Sequence, residues 1–233
     1  MCFTVIYMNL SPSIVGEVYS VAEMRFFGYH GGMSKRVFGM VLAAGLASRM
    51  GSTKQLLPYG KKTVLQTIVD TLIGSCLDGI LVVLGHKASE VHGSLQGRDV
   101  AVCLNEDYRQ GMFSSILAGF RELEGRTEGV LIVLGDQPQI QEADVREVVT
   151  AYRTGDKGIV IPTSQGKRGH PALIDISSYL EEVRELSGAE GLKPLMRGHP
   201  EDTLEVPIKQ DRILRDMDTP EDYCLELGRL DPE

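Results

Sequence analysis

Val37-Phe-Gly-Met-Val-Leu-Ala-Ala-Gly45-Leu-Ala-Ser-Arg49-Met-Gly51-Ser-Thr-Lys54-Gln-Leu-Leu-Pro58 sets the fold. Its first part, Val37–Ala43, is a short apolar run with no polar alternation, the pattern of a strand buried on both faces. Ala43, Ala44 and Gly45 follow, small enough for backbone amides to come close to a ligand. Arg49 and Lys54 then place two cations in one loop.

Outward from this stretch, short apolar runs alternate with longer amphipathic ones. Ile80–Leu84, Val100–Leu104, Val130–Leu134 and Ile159–Pro162 are predicted as further buried strands. Val64–Ile73, Ser114–Leu123 and Ala143–Arg153 are predicted as helices between them. Strand–helix alternation implies an α/β fold, a Rossmann-like three-layer sandwich with a mostly parallel central sheet. Beyond Pro162 the alternation loosens: Pro171–Ile174 and Thr203–Val206 are expected as strands, Ser177–Glu185 and Glu221–Leu230 as helices. No repeat, low-complexity tract or linker divides the chain, so 33–233 is expected to form a single domain. Residues 1–32 lack a basic n-region, and their apolar stretch Phe3–Met8 is short. They are expected to be a poorly packing upstream extension that is not native, with Met33 as the natural start.

The chain has 233 residues and a formal net charge of −8. An acidic surface does not suit a general nucleic-acid binder, which gains affinity by displacing counterions with basic groups. No apolar run approaches the roughly 18 residues that span a bilayer. Cys2, Cys76, Cys103 and Cys224 are scattered, with no CxxC pair, which points to a reducing, cytoplasmic setting and no structural zinc.

In parallel sheets ligands bind beyond the carboxyl ends of the strands, so the loops there carry the chemistry. A nucleoside triphosphate carries about four negative charges and calls for backbone donors plus cations, which Arg49 and Lys54 supply. The spacing fits neither a Walker A loop nor a G-x-G-x-x-G turn. In Gly129–Pro138 a buried strand ends on Asp136, an acid placed to hold Mg²⁺ or, in isolation, to cap the turn before Pro138. Asp216 and Asp218 precede Thr219-Pro220, an N-cap and first-turn pair. In extended backbone their i, i+2 spacing points both carboxylates to one side. Asn105-Glu-Asp-Tyr-Arg109-Gln-Gly111-Met-Phe-Ser114-Ser115 offers a tight turn at Gly111 and helix-capping hydroxyls at Ser114 or Ser115. Arg168-Gly169-His170-Pro171 leads into a strand; His86 is expected to be structural or solvent-exposed.

Taken whole, Leu42–Pro58 resembles the signature of the molybdenum cofactor nucleotidyltransferases, L-A-[AG]-G-x-x-x-R-M-G-x-x-K-x-L-x-P, with every fixed position matched. Gly135-Asp136-Gln137-Pro138 and Asp216–Asp222 are similar to that family's metal-binding elements, and the resemblance covers most of Val37–Leu227. It implies a nucleotidyltransferase-type fold and Mg²⁺-dependent transfer of CMP or GMP from a triphosphate to molybdopterin, with release of pyrophosphate. The Ala-Ala-Gly form resembles the cytidylyl branch, so the expected substrates are CTP and a molybdopterin-type cofactor, with a molybdenum hydroxylase apo-enzyme as a further partner. The resemblance implies Arg49, Lys54 and Asp136 as catalytic residues, and Asp136 with Asp218, favoured over Asp216, as metal ligands. Leu42, Ala43, Ala44, Gly45, Arg49, Lys54, Asn105, Gly111, Ser114, Ser115 and Asp136 would bind the nucleotide. Gly169, His170 and Pro171 would face the pterin, with Pro162 at the rim. Where the cytidylyl family often carries G-D-x-G-A-R, this chain has Gly188-Ala-Glu190-Gly-Leu192-Lys193. Transfer of GMP, a sugar-phosphate acceptor, and a non-catalytic cofactor carrier are the alternatives.

Overall fold

The computed structural model describes residues 35–45 and 53–230; the extension 1–32 and Arg49 lie outside the described residues. Strand β1 (Val37–Ala43) is buried along its whole length. Its side chains alternate in destination: Val37, Val41 and Ala43 enter one apolar cluster, Phe38, Met40 and Leu42 another. Two-sided burial of a strand requires helices on both faces of its sheet, and that is the arrangement found.

The chain then passes through a small hairpin, β2 (Pro58–Tyr59) and β3 (Lys62–Thr63), to helix α1 (Val64–Ile73). Thr63 starts this helix because its hydroxyl accepts from the Gln66 amide at 3.2 Å while Gln66 returns the favour to the Thr63 N–H at 2.9 Å. Leu65, Ile68, Val69 and Leu72 form its buried stripe, each stabilising the fold by roughly 1.5–3 kcal/mol. There follow β4 (Gly79–Leu84), α2 (Ala88–Gly93), β5 (Ala101–Leu104), α3 (Met112–Leu123), β6 (Gly129–Leu134) and α4 (Glu142–Thr154). The last part holds β7 (Ile159–Ser164), β8 (Lys167–Arg168), β9 (Ala172–Asp175), α5 (Ile176–Glu185), α6 (Lys193–Gly198), β10 (Thr203–Pro207) and α7 (Pro220–Leu227).

The sheet order is β10-β7-β9-β6-β1-β4-β5, with β8 paired to β7. Strands β1, β4, β5 and β6 run parallel, as do β7 and β10, while β9 is antiparallel to both its neighbours. The reason is chain length: only residues 165–171 separate β7 from β9, and a parallel crossover needs a dozen or more. Helices α1, α2 and α4 pack against one face, and α3, α5 and α6 against the other.

The expected strands and helices are present with ends shifted by a few residues, for example α3 starting at Met112 rather than Ser114 and α7 ending at Leu227 rather than Leu230. Helices α2 and α6 and the strands β2, β3 and β8 are additions; each is too short to show a period. From β1 the chain winds outward through β4 to β5, then returns by α3 to β6 on the opposite side of β1. This reversal opens a crevice between the carboxyl ends of β1 and β6, the place where sheets of this kind bind ligands.

Candidate active site

The two strand ends are pressed together. Gly135 donates its N–H to the Leu42 carbonyl at 3.1 Å, and a Cβ on Gly135 would lie 2.5 Å from that oxygen. A side chain there would part the strands. Beyond them lies a cavity of about 610 Å³, within the range of roughly 300–1,000 Å³ usual for small-molecule sites. Leu42, Ala44 and Gly45 line it. Ala43 is 1% exposed and faces the core instead.

Lys54 opens a short helical turn, Lys54–Leu56, and is almost fully buried. Its ammonium donates to Asp218 Oδ1 at 2.7 Å and to Asp136 Oδ2 at 3.3 Å. Asp136 comes from the turn after β6 and Asp218 from the segment before α7, so one cation ties together three distant stretches of sequence. Burial raises the Asp136 carboxyl above its ordinary pKa; Lys54 opposes this, and the like charges of Asp216 and Asp218 add to the rise. Met217 is fully buried between Asp216 and Asp218, which leaves both carboxylates turned away from the core. Asp216 accepts from Gln137 Nε2 at 2.6 Å. Thr219 caps α7 through the reciprocal bonds with Asp222 that its sequence implies.

The facing wall is the 105–115 loop. Gly111, with φ 102°, allows the turn into α3 and itself occupies the N-cap position. Ser114 and Ser115 therefore stand inside the first turn rather than capping it. Asn105 is buried and donates to both hydroxyls at 2.9 Å, a brace between β5 and α3. Of these residues Gly111 and Ser115 line the cavity; Asn105 and Ser114 stand behind the lining. Tyr108, Arg109 and Gln55 line it as well. Sequence reading gave these three no role, though an arginine beside a glycine turn was a visible signal for Arg109. The Arg109 guanidinium lies 5.7 Å from the Tyr108 ring centre.

Gly169, His170 and Pro171 are not part of this lining. Gly169 donates to the Pro162 carbonyl at 2.8 Å and His170 to the Ile213 carbonyl at 2.9 Å. Burial lowers the pKa of His170, with Asp216 opposing, and its Nδ1 has no hydrogen-bond partner among the described residues. Pro162 is buried within β7. His86 is partly buried, its ring 6.1 Å from that of Tyr108.

Among the described residues no group of three or more His, Cys, Asp or Glu side chains is arranged to hold a metal ion. The Asp136 and Asp218 pair still fits a hard cation such as Mg²⁺, which commonly takes one or two carboxylates and fills its other positions with phosphate oxygens and water. Both contact the same ammonium, which brings the two carboxylates to one point of the cleft. Among the described residues no helix is long and apolar enough to cross a membrane.

A mostly parallel sheet that reverses at β1, with an acid at the end of β6 answering a lysine from the first loop, defines a nucleotidyltransferase-type Rossmann-like protein. The chain belongs to the family of the MobA-like NTP transferase domain, which it matches over residues 39–204. It is 28% identical to the molybdenum cofactor cytidylyltransferase of Escherichia coli (strain K12) over 185 residues, 79% of this chain and 92% of that one. It is 30% identical to the nicotine blue oxidoreductase of Paenarthrobacter nicotinovorans over 171 residues, 70% of this chain and 83% of that one. Among solved structures, Rv0371c from Mycobacterium tuberculosis H37Rv is similar with a TM-score of 0.73 and 29% identity, covering 84% of this chain and all of that one. Its complex with manganese is similar with a TM-score of 0.72 and 27% identity over the same share of each chain.

Proposed function

We propose that the protein transfers CMP from CTP to the terminal phosphate of a molybdenum-loaded molybdopterin, giving the cytosine dinucleotide and pyrophosphate. The observation that carries this reading is the Lys54 ammonium shared by Asp136 and Asp218 at the β1/β6 crevice. Such a centre suits a triphosphate bound with a divalent cation. The acceptor is favoured by the Escherichia coli relative named for this activity, and CTP also by the Ala43-Ala44-Gly45 turn.

An oxygen of the acceptor phosphate attacks the α-phosphorus of CTP. The new P–O bond forms as the bond to the bridging β-phosphate oxygen breaks, and pyrophosphate leaves with that electron pair. The attacking phosphate is already ionised at neutral pH, so no general base is needed. Asp136 and Asp218 would hold Mg²⁺, which when bound supplies positive charge at the phosphates. The manganese complex of the Mycobacterium tuberculosis protein supports a divalent ion here. Lys54 and Arg49 would neutralise charge on the triphosphate, while Leu42, Ala44 and Gly45, with Gly111 and Ser115, shape the nucleotide cleft. Gly169, His170 and Pro171 are assigned to the pterin side. A cytoplasmic location and hand-over to a molybdenum hydroxylase apo-enzyme belong to the same reading.

One relative is named as an oxidoreductase. The carboxylate pair favours the transferase, because hydride transfer has no need of a carboxylate-held divalent ion. Purified protein, Mg²⁺ and molybdenum-loaded molybdopterin mixed with CTP or GTP test the proposal. Expected is pyrophosphate release with CTP and a product with the mass of the cytosine dinucleotide. No pyrophosphate with either nucleotide would overturn it, and cofactor insertion by an Asp136→Ala variant would favour a carrier.

A further inference from the structure

Asp218 lies on a stretch without helix or strand, yet it meets Asp136 across one ammonium. Something must fix that stretch, and the contacts around it show what does. Arg212 forks onto the buried carboxylate of Asp144 at 2.6 and 2.9 Å. Gln139 Nε2 donates to the carbonyls of Arg212 and Arg215 at 3.2 and 2.6 Å. Gln137 Nε2 donates to the Arg215 carbonyl at 3.0 Å and to Asp216 Oδ1 at 2.6 Å. Gln137 is 1% exposed, and both N–H groups of its amide are used. The residue directly after Asp136 therefore holds the residue two before Asp218.

Neither glutamine lines the cavity. Burying an amide costs desolvation that its hydrogen bonds must offset. The Nε2 groups of Gln137 and Gln139 each make two bonds to the 212–216 stretch, while their Oε1 atoms are buried without a partner among the described residues. Apolar side chains would pack such a loop equally well; amides specify its register. We propose that Gln137, seconded by Gln139, is a positioning residue that sets the separation of the Asp136 and Asp218 carboxylates and thereby the affinity for the divalent cation. This rests on the proposed role of those carboxylates. Groups that orient metal ligands without touching the metal alter affinity by about 10–100-fold when replaced.

The test is titration of Mn²⁺ alone into the full chain, following free Mn²⁺ by electron paramagnetic resonance, for the wild type, Asp136→Asn and Gln137→Met. Methionine keeps the length of glutamine and removes both donors. Wild type is expected to bind one ion that Asp136→Asn loses, and Gln137→Met to bind it about 10–100-fold more weakly. In turnover, half-saturation in Mg²⁺ should shift by a similar factor while the rate at saturating Mg²⁺ stays within about threefold; a merely structural role would lower the rate without moving half-saturation. If Gln137→Met binds Mn²⁺ like wild type while Asp136→Asn does not, the positioning role is wrong and the metal site stands. If wild type and Asp136→Asn bind alike, or neither binds, the carboxylate site itself fails and this inference with it. Should Gln137→Met not fold, Gln137→Asn, which keeps the amide but draws it back by one carbon, is judged by the same outcomes.

Discussion

Lys54→Met should make the protein bind a divalent cation more tightly while slowing its turnover. In the structure the ammonium lies 2.7 Å from Asp218 and 3.3 Å from Asp136, so it occupies oxygens that the cation would use. At those distances each pair is worth about 1.3–1.5 kcal/mol at the dielectric of water and about 5–6 kcal/mol at an effective value of 20. The Asp218 side chain is 49% exposed but those of Asp136 and Lys54 only 24% and 11%, so the value at the dielectric of water, about 3 kcal/mol for both contacts together, is a lower bound. Part returns when the displaced ammonium is rehydrated, leaving a net competition of about 1–2 kcal/mol, or roughly 5–30-fold in affinity. Mn²⁺ titration without nucleotide, followed by electron paramagnetic resonance, reads this directly. In the same variant, loss of the positive charge proposed to neutralise the triphosphate should lower kcat by about 100-fold or more. Equal or weaker Mn²⁺ binding would refute the reasoning: the carboxylates would then exist to hold Lys54.

Three further outcomes follow from the geometry. Asp218→Asn should weaken Mn²⁺ binding by at least about tenfold, whereas Asp216→Asn, whose amide oxygen can still accept from Gln137, should stay within about threefold; equal losses would make Asp216 a ligand. Gly111→Ala should destabilise the fold by about 1–3 kcal/mol in urea denaturation, because its φ of 102° with ψ −179° is open only to glycine. Burial pushes the Asp70 carboxyl up, but hydrogen bonds from Arg98 and Lys62 outweigh it and hold the pKa below the ordinary value. A depressed carboxylate stabilises the fold above its unfolded pKa and loses that stabilisation as pH falls through the folded one. Asp70→Asn should therefore cost about 1 kcal/mol at neutral pH and nothing at a pH below the folded pKa; a difference independent of pH would rule out the ion pairs as its source.

The sheet was legible because its central strands are buried on both faces, and that leaves continuous apolar runs such as Val37–Ala43 and Val130–Leu134. The antiparallel entry of β9 was not, since direction depends on the length of the connection and not on side-chain pattern. Lys54, Asp136 and Asp218 could be singled out because each follows or precedes a recognisable element. Their convergence was implied only by the family resemblance; what fixes it, the β6–β1 register and amide bonds from Gln137 and Gln139 to distant carbonyls, could not be read from spacing. A glutamine's partners lie wherever the fold brings an acceptor, and nothing in its neighbours announces them. Asn105, Ser114 and Ser115 show the converse: types suited to a ligand, here bonded largely to one another.

The same distinction bears on the acceptor. Where related cofactor cytidylyltransferases often carry an aspartate and an arginine, the turn at Gly188–Lys193 spends its residues on packing. Gly188 adopts φ 79°, and a Cβ there would lie 2.6 Å from the Phe113 ring; Leu192 is buried in the core; Glu190 is paired with Arg197 at 2.7 Å. Phe113 follows Met112, which lines the cavity, but no residue of the turn itself does. The turn's own cation is the exposed Lys193, which opens α6, while Lys54 and Arg109 line the cavity. Under the proposed function, the aspartate and arginine of those relatives have no counterpart in this turn, so charge recognition of the acceptor would fall to Lys193 or Arg109, outside the sheet and the Lys54 centre.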